Sequence, residues 1–221
     1  MTKHDPMIAA ILLAAGESSR MGQPKQLLDW HGEPLIVAQI EALLEADCGP
    51  VVVVLGAHQH LLRPLLPSRA DVQITTNRNW REGRASSIRT GARAVSSAYE
   101  AIVVASVDQP VSPAVVGELC GVMKSAREAL IVVPRYEGTN GHPPIFRSEL
   151  LPELQSVTER QQGLRAIRRR HADRTIFVEI DNPIVTLNLN TPDAYRSALA
   201  FSNLHKVRET SESGERILAS E

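Results

Sequence analysis

Much of what would point this chain outward is missing. Its 221 residues carry a formal net charge of -1, so nothing draws it as a whole to nucleic acid or to an anionic membrane. Any phosphate it binds must be held by local charge. Cysteine is scarce: Cys48 and Cys120 stand far apart in sequence, with no CxxC and no metal-ligand spacing, and read as buried or semi-buried thiols of a reducing cytoplasm. The longest apolar stretch, near Met7 to Ala15, falls well short of the ~20 residues that span a bilayer. Asp5 and Pro6 sit where a secretory leader would be basic. No internal repeat is visible. A cytoplasmic protein without nucleic-acid or membrane partners is expected.

Hydrophobic residues make up 43% of the chain, enough for a large core at this length. Strand-like apolar runs fall at Met7–Leu13, Pro50–Leu55, Val72–Thr75, Ala101–Ala105, Leu130–Val133, Thr175–Ile180 and Val185–Leu189. Helix-like segments fall between them, at Leu35–Ala46, Gln59–Leu66, Ala85–Ser97, Pro113–Arg127, Ser148–Leu154, Gly163–His171 and Pro192–Phe201. Several strands are apolar throughout, as in a parallel sheet covered on both faces. Ser112-Pro113 and Thr191-Pro192 each place a cap before a first-turn proline. The alternation predicts one doubly wound α/β domain over residues 1–201. Residues 202–221 are polar and mixed in charge and read as a tail, floppy or weakly helical.

The most telling segment is the loop after the first strand, Leu13-Ala14-Ala15-Gly16-Glu17-Ser18-Ser19-Arg20-Met21-Gly22-Gln23-Pro24-Lys25. Its glycines and serines let backbone N–H groups approach a polyphosphate, and Arg20 and Lys25 add fixed positive charge. A nucleoside triphosphate at the carboxyl end of the first strand is the expected ligand. The loop is not a P-loop, which needs a Lys directly after its second Gly, nor a Gly-x-Gly-x-x-Gly fingerprint. It resembles the LAAGxSxRMGxxK motif of the MobA-like nucleotidyltransferases, and most closely the molybdenum cofactor cytidylyltransferase branch.

Four further pieces follow in the order that family has them. In Asn77 to Gly91, Gly83, Ser86 and Ser87 put small polar groups at a helix start. The resemblance makes them base contacts; ordinary helix capping is the other reading for Ser86. Trp80 reads as a packing residue. Asp108, in Val107-Asp108-Gln109-Pro110 after an apolar strand, resembles the Asp-x-Pro element whose carboxylate holds Mg²⁺, a hard cation that bridges phosphate oxygens. Gly141-His142-Pro143 is similar to the acceptor-side GHP segment, where His142 either bonds the acceptor or only fastens its loop. In Leu187-Asn188-Leu189-Asn190-Thr191-Pro192, alternation puts Asn188 and Asn190 on one face. The cytidylyltransferase branch has carboxylates there, and the amides resemble the guanylyltransferase branch. Arg165, Arg168 and Arg169 share a helix face, either to hold the acceptor phosphate or as a solvated basic surface.

The resemblance implies a Rossmann-like three-layer α/β/α sandwich, its sheet mostly parallel with one antiparallel strand late in it. It implies transfer of a nucleotidyl group from an NTP to a terminal phosphate on molybdopterin, with pyrophosphate released. Leu13, Ala14, Ala15, Gly16, Ser18, Gly22, Lys25, Gly83, Ser86 and Ser87 would meet the nucleotide. Lys25, Arg20 and Asp108 would carry catalysis. Asp108, Asn188 and Asn190 would meet Mg²⁺, and Gly141, His142, Pro143 and Arg165 the acceptor. Ala14-Ala15 favours CTP, because the guanylyltransferase branch reads LAGG there; Asn188 and Asn190 favour GTP. The product would pass to a molybdoenzyme or its chaperone. The same fold also activates other phosphorylated small molecules, and a nucleotide-binding delivery or regulatory protein is the alternative without turnover.

Overall fold

The structure is a computed structural model that describes residues 8–202. The readings made on residues 1–7, and on the tail beyond Ser202, lie outside it. Ten strands are present among the described residues: β1 (Ile8–Ala14), β2 (Asp29–Trp30), β3 (Glu33–Pro34), β4 (Cys48–Leu55), β5 (Val72–Thr76), β6 (Ala101–Ser106), β7 (Ile131–Tyr136), β8 (Thr139–Asn140), β9 (Ile145–Arg147) and β10 (Thr175–Glu179). The six α-helices bounded within it are α1 (Leu35–Glu45), α2 (Gln59–Leu62), α3 (Arg84–Ala94), α4 (Pro113–Ser125), α5 (Leu151–Leu154) and α6 (Leu164–Arg170). Residues 192–202 are helical as well.

The main sheet has the order β10-β7-β9-β6-β1-β4-β5, with β8 beside β7. Its pairings are parallel except those of β9 and β8, so the antiparallel strand that the family resemblance implies is β9. Every residue of β1, β4 and β6 is buried, which is why those runs carry no polar alternation.

Period two divides the side chains between two cores, one on each face. Ile8, Ala10, Leu12 and Ala14 join the core under α1 and α4. Ala9, Ile11, Leu13 and Ala15 join the core under α3, α5 and α6. Helix α3 lies so close to the sheet that a Cβ on Gly91 would stand 2.5 Å from Ile11 Cγ2. Arg147 locks the far side. Its buried guanidinium pairs with Glu100 at 2.7 Å and donates to the carbonyls of Met123, Ala126 and Ala129, tying the end of α4 to β9.

Two expectations need correction. The run Val185–Leu189 is not a strand. Pro183–Thr186 forms a 3-10 turn, because the Asn182 side chain accepts from Ile184 N at 3.0 Å and Pro183 fixes its first position. The segment after it is extended and touches the sheet's end through one bond, Leu189 N to Asp108 O at 2.8 Å. The helix expected over Gln59–Leu66 stops at Leu62 and tightens into a 3-10 turn, Arg63–Leu65, where Pro64 has no N–H to continue it.

Because β1, β4, β5 and β6 run parallel, their carboxyl ends open on one edge. The loops that follow them are brought there together, in the place where open α/β sheets bind ligands.

Candidate active site

The first loop is shaped by a side chain that the sequence did not mark. Gln26 is buried, and its Nε2 donates to the carbonyls of Ala14 at 2.8 Å and Gly16 at 3.0 Å. The Ser18 hydroxyl accepts from Lys25 N at 3.0 Å. Ser18 and Gly22, at φ 59° and 69°, bracket a 3-10 turn over Ser19–Met21. The Arg20 side chain lies outside the described part of the structure.

Two clefts open beside this loop. The first, about 620 Å³, is lined by Leu13, Ala15, Gly16, Ser18, Lys25, Gly83 and Ser87, with Trp80 and Arg81 on its rim. The second, about 870 Å³, is lined by Gly141, His142, Pro144, Arg165, Arg168, Asn188 and Asn190, among others. They adjoin, and Arg84 and Asp108 line both.

Lys25, a residue only 9% exposed, brings its ammonium to this junction. It donates to Asn190 Oδ1 at 2.6 Å and stands 3.5 Å from Asp108 Oδ2. The Asp108 carboxylate keeps 31% of its side-chain surface open. Lys25, Asp108 and Asn190 thus meet, although they come from the first loop, the turn after β6 and the extended segment 187–190.

Helix α3 forms the wall between the clefts. Its N-cap, Gly83, has φ 102° and ψ -177°, a conformation almost confined to glycine. The cap is supplied from afar: Glu159 Oε1 accepts from Ala85 N at 2.6 Å. Ser87 lines the first cleft. Ser86 does not; its hydroxyl bonds the carbonyls of Gly83 and Asn79 and accepts from Asn77 Nδ2, so capping takes it rather than a base. Ala14 is also corrected. It points to the opposite face and joins the α1/α4 core, because adjacent strand residues cannot face the same side. Gly22 lies off both clefts and serves the turn. Trp80 packs on the second core and also lines the first cleft, with the Arg81 guanidinium 4.2 Å over its ring.

In the second cleft, Gly141 lies where a Cβ would stand 2.6 Å from Val185 O, and His142 N donates to that carbonyl at 2.7 Å. Pro143 is buried away from the cleft, and Pro144 takes the lining position. Burial, then the nearby Arg84 charge, pushes the His142 imidazole down to about 4; it is neutral at pH 7. Its Nδ1 and the Oε1 of Gln109 are buried without partners among the described residues. Burial also lowers the Arg168 guanidinium, with Arg165 and Arg135 adding to the effect. Arg165 and Arg168 face this cleft; Arg169, on the same helix, does not line it.

A divalent cation can be weighed against these groups. No cluster of three or more His, Cys, Asp or Glu side chains suited to a metal occurs among the described residues. Mg²⁺ is usually held by one or two carboxylates plus substrate phosphates. Asp108 is open and suitable. Asn190 is already engaged, its oxygen accepting from the Lys25 ammonium.

Residues 10–175 match the family described as the MobA-like NTP transferase domain. Among similar proteins, one from Paenarthrobacter nicotinovorans, nicotine blue oxidoreductase, is 33% identical over 175 residues, covering 75% of this chain and 83% of its own. The molybdenum cofactor cytidylyltransferase of Escherichia coli K12 is 25% identical over 194 residues, covering 86% and 95%. A probable molybdenum cofactor guanylyltransferase of Nostoc is 27% identical over 199 residues, covering 84% and 87%. The crystal structure of Rv0371c from Mycobacterium tuberculosis H37Rv superposes with a TM-score of 0.74 at 25% identity, covering 89% of this chain and all of that one; it has also been solved in complex with manganese. The chain belongs to the MobA-like NTP transferase family.

Proposed function

We propose that this nucleotidyltransferase moves CMP from CTP to the terminal phosphate of a molybdopterin-type acceptor. The observation that carries the reading is the pair of clefts meeting at Asp108, with the Lys25 ammonium at the junction. The first cleft takes the triphosphate, with Gly16, Ser18 and Lys25 against its phosphates. The base extends toward Ala15, Gly83 and Ser87. The second takes the acceptor, whose phosphate faces Asp108 and whose remainder lies toward His142, Arg165 and Arg168.

An oxygen of the acceptor phosphate attacks the α-phosphorus, and the bond from that phosphorus to the oxygen bridging to the β-phosphate breaks. The electron pair leaves on pyrophosphate. No proton moves, because the attacking phosphate is already ionised near pH 7, and a neutral His142 suits a site that needs no base. Lys25 meets the negative charge that grows on the α-phosphoryl oxygens, and Asn190 holds its ammonium in place. When bound, Mg²⁺ on Asp108 would neutralise phosphate oxygens in the same region. Catalysis is mostly positioning and electrostatics.

Two other readings have specific support. Asn188 and Asn190 resemble the guanylyltransferase branch, so GTP is the competing nucleotide. The similarity to a protein named an oxidoreductase raises hydride transfer, which has no need of a lysine and a carboxylate between two clefts. The test supplies CTP or GTP, a molybdopterin acceptor and Mg²⁺, and reads pyrophosphate and product mass. The proposal expects release with both substrates present and none with either alone. Oxidation of a reduced nicotinamide cofactor, with no pyrophosphate formed, would overturn it.

A further inference from the structure

Arg84 opens α3 and, with Asp108, is one of two residues lining both clefts. More than a third of its surface is open, and it borders both clefts. Crowding desolvates the guanidinium and lowers its pKa, against the opposing pull of Asp108 and Glu159. No ion pair or side-chain hydrogen bond among the described residues includes it. Arg89 on the same helix and the buried Arg147, by contrast, are both paired with carboxylates. An arginine kept charged, partly dehydrated and unpaired between two cavities is poorly explained by stability. Nor does helix propensity call for it, since alanine is at least as good at this position.

Resting on the nucleotidyl-transfer reading, we propose that Arg84 is a catalytic residue whose guanidinium holds the acceptor's attacking phosphate and the nucleotide's α-phosphate together. Its planar fork suits two phosphate oxygens from different groups, as an ammonium does not. It would draw two mutually repelling anions to bonding distance and line the attacking oxygen up with the bond that breaks. Gly83 makes this possible: its backbone lets α3 begin with the next residue directed at the junction. Arg165 and Arg168 line the second cleft only and hold the acceptor alone.

The experiment uses the full chain with Arg84→Ala, Arg84→Lys and, for comparison, Arg165→Ala. It measures kcat, the KM of each substrate, calorimetric binding of the nucleotide, and melting curves. Arg84→Ala is expected to lower kcat by ~10²–10³, the usual effect of losing one donor to the transition state, with a melting point equal to or above that of the unaltered protein. Arg84→Lys should recover only part of that loss, because charge returns without the fork. Arg165→Ala should raise the acceptor KM and leave nucleotide binding unchanged. If Arg84→Ala keeps its kcat and only the acceptor KM rises, Arg84 is not at the reacting phosphates. If it loses activity in proportion to lost folding, its role is structural, and Arg84→Lys, which keeps the stem and the charge, should then be fully active. If the unaltered protein releases no pyrophosphate with any nucleotide and acceptor, the transfer reading fails and this proposal falls with it.

Discussion

The Lys25 ammonium donates to Asn190 Oδ1 over 2.6 Å, joining two residues 165 positions apart. The bond aims the ammonium at the junction of the two clefts without cancelling its charge, since a neutral amide is the acceptor and Asp108 stands back at 3.5 Å. Lys25→Ala should therefore reduce turnover by ~10²–10³. Folding should suffer much less. Asn190 is only half-buried, so water can take the place of the lost donor at a cost of ~1 kcal/mol. Steady-state kinetics beside a melting curve separate the two effects. A variant that keeps more than about a third of its turnover, far above that expectation, would remove Lys25 from the chemistry.

Asp108→Asn should shift the Mg²⁺ titration of activity to higher concentration, because it removes an open carboxylate that stands at the junction. Asn190→Asp is the complementary change. It adds a carboxylate, but one that would pair with Lys25 rather than wait for a cation, so its effect should fall on kcat more than on the Mg²⁺ requirement. An unchanged metal titration in Asp108→Asn would place the cation elsewhere.

What could be read from the chain and what could not divide along physical lines. The buried strands were legible because Ile8–Ala14 and Cys48–Leu55 are apolar on both faces. The first loop was legible because its chemistry is local and contiguous. Asn188 and Asn190 do share a cleft, although the strand inferred for them is absent. Long-range closures were not legible: nothing in the sequence announces that Glu159 caps α3 across 74 positions, or that Arg84 faces two cavities. Gln26 gave one weak signal, a polar residue buried beside Leu27 and Leu28. Ala14 was misplaced for a reason that was available: period two forbids Ala14 and Ala15 from facing the same ligand.

The His142 imidazole is pushed from the usual 6.5 to about 4, and the sign of its effect on stability follows. The unfolded chain takes up this proton first, so the contribution is fully present above about 6.5 and is lost as pH falls toward 4. The loss amounts to at most ~3 kcal/mol. Metal-free protein should unfold more readily across that window, and His142→Leu should flatten that part of the curve. In a magnetic-resonance titration the His142 ring should respond near 4. A response at its ordinary value would mean that the ring is solvated and available as a base near neutral pH.

Gly83 and Glu159 form a coupled pair. A Cβ on Gly83 would stand 2.6 Å from Glu159 Oε1, the same oxygen that caps Ala85 N. Gly83→Ala should lose ~1–3 kcal/mol to backbone strain and, by displacing the carboxylate, a further ~1 kcal/mol of capping. Glu159→Ala loses the cap alone; Glu159→Gln keeps an acceptor and should lose less. The double variant Gly83→Ala/Glu159→Ala loses the cap only once. It should therefore be more stable than the sum of the single losses by ~1 kcal/mol, the value of that cap. Strict additivity in a denaturation cycle would mean that the cap contributes nothing.

On the proposed reading, the choice of base should turn on Ala15. Ala15 lines the first cleft and is packed against Gly56, where a Cβ would stand 2.6 Å from Ala15 O. The Ala15 methyl narrows the space a base must enter, and a purine needs more of it than a pyrimidine. Ser87 lines this cleft and, although its oxygen accepts from Asn77 Nδ2 at 3.0 Å, keeps its proton to donate to a base edge. A site built on hydrogen bonds discriminates strongly, because a mismatched base leaves its groups unpaired. CTP should therefore outcompete an equal concentration of GTP, scored by product mass. Ala15→Gly should move the preference toward GTP. Ala14→Gly should not, because Ala14 is packed in the opposite core; it should only lower stability, by ~1 kcal/mol for glycine's extra backbone freedom and lost packing. GTP preference in the unaltered protein would reassign the nucleotide and leave the transfer chemistry standing. An equal shift from both substitutions would mean that the loop acts on the base through its backbone path, not through the Ala15 methyl.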